Sequence, residues 1–436
     1  MPGRMIVAKT LVLALLTTLA GTSVLACSKK NDGGVSSVQD AAPPPVAISA
    51  SAASSAPAPA TDGGIGRRPT TTSWAIAGSN LDAQIADRVR RDTGDPEQQA
   101  FLVELYIERG DFLANVDDYE KADAIGVRGV KSYPKDGLAH LTHATTLGAF
   151  HEFAAQAKEL DEAATLKAPA ARVANARLSL LMAQGRYDEA LKASPPLSEG
   201  SSPTKLVFAA VLAARMQKPD ESDRLFERAR AAVVDVSPFL VAWMDFQRAS
   251  VLDARGMEKQ ARAYYLEALE AIPVYVHAAV HAATTDTPEA AIERLEALRT
   301  VTTDPELLAA LAEAHKRAKH EPEAKKATDA ARARYGELLA KHPAAYADHA
   351  ARFFLGSGND PKKALELAEK NAKGRPTEEA IDLWMAAAAA AQRKDQICAS
   401  AIAMKQLAYA SDTRKRLAVA ASNDCPDAGG ADAGAK

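Results

Sequence analysis

The 436-residue chain is long enough for one extended array or two domains, and a composition of 47% hydrophobic and 25% charged residues is that of a folded protein. A formal net charge of −3, from 53 Lys and Arg against 56 Asp and Glu, leaves no basic excess with which to bind nucleic acid. Few aromatics beside abundant alanine point to closely packed helices.

The chain opens with Arg4 and Lys9, an apolar core Leu11-Val12-Leu13-Ala14-Leu15-Leu16, and small residues before Cys27. These are the parts of a secretory signal over residues 1–26, and the core is shorter than the roughly 20 apolar residues of a spanning helix. Val24-Leu25-Ala26-Cys27 resembles the bacterial lipobox. That resemblance implies a lipidated Cys27 at the mature N-terminus and attachment to a membrane through acyl chains. An ordinary exported protein, or an uncleaved anchor, is the competing reading. Ser28 departs from the Asp that retains lipoproteins at the inner membrane in enteric bacteria, so the expected address is the outer membrane, facing the periplasm.

Residues 27–74 run through Ala41-Ala42-Pro43-Pro44-Pro45 and Ala56-Pro57-Ala58-Pro59-Ala60, a composition that cannot bury a core and predicts a linker. Residues 424–436, with Gly429-Gly430, are predicted to be a tail of the same kind.

Between these lies the solenoid expected over residues 75–423. Gly256, Ala261, Tyr265, Ala268 and Pro273 fall at steps of five, four, three and five. Small residues at 261 and 268 let two helices approach, Tyr265 fills the neighbouring gap, and Pro273 opens the next unit. Tyr119, Ala122 and Pro134 show the same interval, and Ala157, Ala164 and Pro169 repeat it 35 residues later. Gly185-Arg186-Tyr187-Asp188-Glu189-Ala190 reproduces an interhelix turn, Phe226 and Ala229 follow with Ser222 in the alanine's place, and Ala364 and Pro376 recover the interval again. A period near 34 residues marks stacked helix pairs.

In these positions the chain resembles the tetratricopeptide repeat family. The resemblance implies an all-α fold, a right-handed α-solenoid of eight or nine helix pairs, closed by a capping helix over Asp412 to Ala421. The array is irregular. The second helix after Leu191 is cut short by Ser194-Pro195-Pro196, the one from Glu323 to Lys341 is extended, and the unit from Tyr275 to Arg299 is compressed. A second resemblance, to a group of bacterial tetratricopeptide proteins, rests on Asp235-Val236-Ser237-Pro238-Phe239 with Trp243, on Ala347-Asp348-His349-Ala350-Ala351 and on Gly356 to Pro361. It adds architecture and no activity.

The candidate chemistry is sparse. His277 and His281 are one helical turn apart but lack the glutamate of a zinc-protease motif, and His151-Glu152 has Ala155 where the second ligand belongs. Ser132 to Lys135 and Ser202 to Lys205 are S-x-x-K strings without companion motifs. Gly63-Gly64-Ile65-Gly66 sits in the linker, with no strand before it to make a phosphate cradle. No catalytic residue, metal or cofactor is predicted. With Cys27 lipidated, Cys398 and Cys425 remain as an even pair in an oxidising compartment and are expected to form a disulfide, the alternative being two small buried hydrophobes.

The family's repeat positions that line the concave groove fall, by alignment on Gly256 and Ala261, on Trp243, Phe246 and Ser250. Alignment on Ala364 places Tyr346, His349 and Phe353 there. These residues either anchor a protein or peptide partner or, if the first helices are slipped by two residues, pack the core. The function expected is a non-enzymatic, membrane-attached adaptor in the cell envelope. An accessory lipoprotein of an outer-membrane or pilus assembly machine, and a ligand-binding or enzymatic solenoid, are the alternatives.

Overall fold

The computed structural model describes residues 71–197, 200–234, 236–423 and 425. The signal, Cys27 and the Ala/Pro linker lie outside the described residues, as does the tail beyond Cys425. Among the described residues there are twenty helices and no strand. A leading helix α1 (Trp74–Arg90) precedes nine pairs. These are α2 (Pro96–Leu113) with α3 (Val116–Ser132), α4 (Gly137–Ala149) with α5 (Phe153–Thr165), and α6 (Ala170–Ala183) with α7 (Tyr187–Ala193). Next come α8 (Pro203–Arg215) with α9 (Pro219–Ala231), α10 (Pro238–Ala254) with α11 (Glu258–Ala271), and α12 (Val276–Ala283) with α13 (Pro288–Glu296). The last are α14 (Pro305–Arg317) with α15 (Glu321–Lys341), α16 (Pro343–Leu355) with α17 (Pro361–Gly374), and α18 (Glu378–Ala390) with α19 (Lys394–Gln406), before α20 (Asp412–Ser422) closes the array. The fold is an all-α solenoid of tetratricopeptide-like pairs.

Local chemistry sets the helix ends. Asp95, Asp136, Ser202, Asp304, Asp360 and Ser411 each accept a backbone N–H of the helix they precede, and proline stands at the start of α2, α8, α9, α10, α13, α14, α16 and α17, where no amide is needed. Ser202 is therefore a helix cap, which accounts for one of the two S-x-x-K strings. Eight of the nine pairs turn through a single residue in the left-handed conformation: Ala114, His151, Gly185, Gln217, Gly256, Lys319, Asn359 and Gln392. The chain reverses there because the next amide bonds back to the carbonyls of the finished helix, as Arg186 N does to Leu181 O at 2.9 Å.

Close approach of the paired helices follows the small residues. Ala190, Ser222, Ala229, Ala261, Ala268 and Ala364 are buried at 0 or 1% exposure. In α5 the register differs by one from the sequence expectation, since Gln156 and Ala163 are buried while Ala164 is exposed. The leucine between them, Leu160, is fully buried and fixes that face. The irregular units behave as their sequences require: α7 has seven residues, α15 twenty-one, and α12 and α13 eight and nine. On α18, Ala387 and Ala388 are buried beside Trp384, whose indole N–H donates to Gln396 Oε1 at 3.0 Å.

Pairs far apart in sequence also touch. Ala114 O accepts from Thr302 Oγ1 at 2.6 Å, Lys341 reaches Glu120 at 2.6 Å, and the rings of Phe150 and His342 stack with centroids 3.9 Å apart. Arg215 of α8 pairs with Glu379 of α18, and Gln217 donates to Tyr409 O at 2.9 Å. The first two pairs therefore touch the seventh pair and the start of the eighth, and the fourth pair touches the ninth and the loop before α20.

Candidate functional site

Packing between pairs takes up the aromatic side chains. Phe246, at 0% exposure, has the rings of Tyr275 at 5.0 Å and Tyr265 at 5.7 Å. Tyr275 passes the contact on to Phe112, at 4.8 Å, and Phe112 to Phe239 of the α10 entrance, at 5.3 Å. Tyr346 and Phe353 are buried, the latter 5.2 Å from Tyr335, and Trp243 is half-buried against Phe208. His349 is taken up by the charged network described next. Of the two readings of Trp243, Phe246, Tyr346, His349 and Phe353, as groove anchors or as core, the contacts accord with the second: the rings pack between helix pairs, Trp243 least completely.

A charged interior lies beside them. Glu306, in the first turn of α14, has its Oε2 2.8 Å from His277 Nδ1 and its Oε1 3.5 Å from His349 Nδ1. His349 Nε2 stands 3.8 Å from Asp348 Oδ1, and Asp348 Oδ2 stands 3.6 Å from Arg375 Nη1. Arg375 in turn lies 3.4 Å from Nδ1 of His151. Burial would raise the Glu306 pKa, but His349 and His277 hold it well below the usual range, and Asp348 is likewise held low by His349 and Arg375. Burial and then Glu306 raise Asp304. Each carboxylate that stays ionised has its cation within the chain, so the network joins α12, α14 and α16 to the turn after α4. His281, one turn from His277, faces Tyr265 and Asp253 instead, so the two histidines do not converge. Among the described residues no group of three or more metal-ligating side chains comes together.

The concavity that stays open lies elsewhere. A cleft of about 990 Å³ runs between three successive interhelix turns, those of α6–α7, α8–α9 and α10–α11, and the C-terminal helices α18 and α20 with the loop before α20. Its apolar lining includes Tyr187, Val251, Met257, Leu407 and Leu417, the last half exposed. Its rim is charged and paired. Arg186 donates to both oxygens of Glu189 at 2.7 and 2.6 Å, Arg255 meets Asp223 at 3.0 Å, and Arg414 meets Asp382 at 2.8 Å. Tyr409 donates to Asp188, and Glu378 accepts from Ser411 Oγ at 2.6 Å and Ser411 N at 3.0 Å. Its volume is near the upper end of the roughly 300–1,000 Å³ of small-ligand sites, with apolar walls and oriented polar groups.

None of these cleft residues was singled out for binding by sequence, although the turn Gly185 to Ala190 was recognised as a turn. The signal needed was the approach of α18 and α20 to that turn, and no periodicity reports it. Sγ of Cys398 and Sγ of Cys425 are bonded at 2.00 Å, which ties the segment after α20 to α19. Cys27 lies outside the described residues.

No family model and no curated protein matches the sequence. Among solved structures, the C-terminal part of a TPR repeat-containing protein from Cytophaga hutchinsonii is similar at 18% identity, covering 56% of this chain and 98% of that one, with a TM-score of 0.28. The P58(IPK) TPR domain follows at 17% identity, 73% and 97% coverage and a TM-score of 0.24. Yeast Tom70 is similar at 12% identity, 79% and 93% coverage and a TM-score of 0.28. At such scores the chains do not superpose as wholes, and no residue role or partner is taken from them.

Proposed function

We propose that this chain is a non-enzymatic scaffold of the bacterial cell envelope, held to a membrane through lipidated Cys27, that binds a protein or peptide partner in the cleft between the α6–α11 turns and α18–α20. The observation that carries the reading is the cleft itself: a large open concavity with apolar walls, whereas the aromatic side chains aligned with the family's groove positions are packed between helix pairs. The lipobox-like Val24-Leu25-Ala26-Cys27 supports the anchor, and residues 28–73 supply a reach of several tens of ångströms from the membrane surface.

Two measurements test it. Cys27→Ser should release the protein from the membrane fraction or leave its precursor uncleaved, and an unmodified Cys27 in the processed chain would remove the anchor from the proposal. A photo-crosslinking side chain at Leu417 or Met257 should trap a defined partner in intact cells, while the same group at Val127, on α3, should not. Equal trapping at all three positions would remove the cleft.

A further inference from the structure

We infer that a small cavity between α8, α16 and α18 holds a single chloride ion, a site that does not depend on the scaffold reading above. The cavity has a volume of about 10 Å³, room for one water-sized body. Three guanidinium groups line it, those of Arg215, Arg352 and Arg375, against two carboxylates, those of Asp348 and Glu379. Arg215 and Glu379 pair with each other. Among the lining residues, Asp348 is then the one carboxylate left for two arginines, and it is shared further with His349, 3.8 Å away.

The neighbouring charges do not make up the difference. Glu306 faces His277 and His349, whose pKa values are both raised, and Asp382 pairs with Arg414, so each of these carboxylates brings its own cation. His151, 3.4 Å from Arg375 Nη1, is held neutral and supplies no anion. Burial lowers the Arg352 pKa against the raising effect of Asp348, Glu306 and Asp382, as expected of a cation that the surrounding carboxylates only partly compensate. A guanidinium does not shed its proton, so the surplus is met by an anion from solution. Arg375 is 8% exposed; its Nη1 is 3.6 Å from Asp348 Oδ2, and its Nε is buried with no hydrogen-bond partner among the described residues. A water would accept that N–H but leave the charge in place, and a phosphate or carboxylate ligand exceeds the space. Chloride, little larger than water, satisfies both. Tyr187, Arg215, Thr377 and Glu379 line this cavity and the open cleft alike, so the ion would also fix the inner wall of the cleft.

The test is a set of thermal melts on the full mature chain, with chloride replaced by gluconate at constant ionic strength. Chloride and bromide should each raise the melting temperature saturably, by about 1–3 °C over gluconate, an anion too large for the cavity. Ala380→Val, which adds two methyl groups to the cavity wall and removes no charge, and Asn371→Leu, which replaces an amide lining it, should each abolish the difference. Arg393→Gln, at an exposed ion pair with Asp395, should retain it. Crystals soaked in sodium bromide should show an anomalous peak within hydrogen-bonding reach of Arg375 Nε. Equal melting in chloride and gluconate, or a chloride effect that persists in either cavity variant, would overturn the inference, as would a cavity that holds only water in the bromide crystals. A bromide peak with no effect on melting would mark an adventitious ion only and overturn it as well.

Discussion

His349 lies between two carboxylates, with Nδ1 3.5 Å from Glu306 Oε1 and Nε2 3.8 Å from Asp348 Oδ1. Burial would lower its pKa, but Asp348 and Glu306 outweigh burial and push it up to about 9. His151 moves the other way, since burial and then Arg375 hold it at about 3.

The pH dependence follows from those two directions. Unfolded histidine titrates near about 6.5, so the His349 contribution is complete below that pH and is lost as pH rises through about 9. His151 is neutral in the fold, so the unfolded chain takes up its proton first and stability falls from pH ~6.5 toward about 3. Glu306 and Asp348, held low, add a loss as pH falls through their folded values. Glu108 and Asp111, raised to about 7 chiefly by burial, add a loss that sets in above their unfolded values of about 4, so thermal melts across pH 4 to 10 should show an alkaline limb that keeps falling through about pH 9. His349→Gln should cost about 3–5 kcal/mol at pH 7, because two buried carboxylates lose a cation, and should flatten the alkaline limb. An unchanged alkaline limb in that variant would show that His349 does not govern it.

The packed rings make a second prediction. Phe246→Ala and Phe353→Ala should each cost about 3–5 kcal/mol, read from denaturant midpoints, and Trp243→Ala distinctly less, because its indole is only half-buried. Equal, negligible losses at all three positions would mean that the rings face an open groove after all.

Reduction of the Cys398–Cys425 bond should act locally first. Helix α20 fully buries only Ala418, and it is also held by Arg414 to Asp382, by Ser411 to Glu378 and by Lys405 of α19 to Ser422. The 27-residue separation corresponds to about 3.5 kcal/mol of loop-closure entropy. Under reducing conditions hydrogen exchange should quicken in 412–422 ahead of the rest of the chain, and binding in the cleft should weaken with it. Uniform exchange throughout would contradict this order.

Two turn glycines give an internal comparison. Gly185 and Gly256 have φ of +72° and +74°, so either alanine variant bears the left-handed penalty of about 1–2 kcal/mol. A Cβ at Gly185 would also meet Pro376 O at 2.9 Å, whereas nothing lies within 4 Å at Gly256. Gly185→Ala should therefore lower the melting temperature clearly more than Gly256→Ala, and the reverse order would place the Pro376 contact in doubt.

Those turns also show what was legible in the sequence. Of the eight left-handed turn residues only two are glycine, so the two glycine-marked turns stood out, while Ala114, His151, Gln217, Lys319, Asn359 and Gln392 carry no such flag. The alanine and proline spacing was enough to give helix pairs and their irregular lengths. It did not give the one-residue register of α5, where Leu160 sets the buried face. Least visible were contacts such as Arg215 with Glu379, 164 residues apart, because either side chain alone resembles an ordinary exposed charge. Arg215 and Glu379 both line the cleft, so its wall is set in part by a pairing that neither residue's local sequence announces.

The residues that precede α1 are fastened in an unexpected place. Thr72 N donates to Val236 O at 2.7 Å, and the rings of Trp74 and Phe239 meet edge to face at 6.0 Å. Tension arriving along the N-terminal segment is consequently delivered to the start of α10, in the fifth helix pair, as well as to α1. A load shared between two points resists peeling from one end, since the Trp74–Phe239 contact and the Thr72 bond must yield before the first pairs can unravel in sequence.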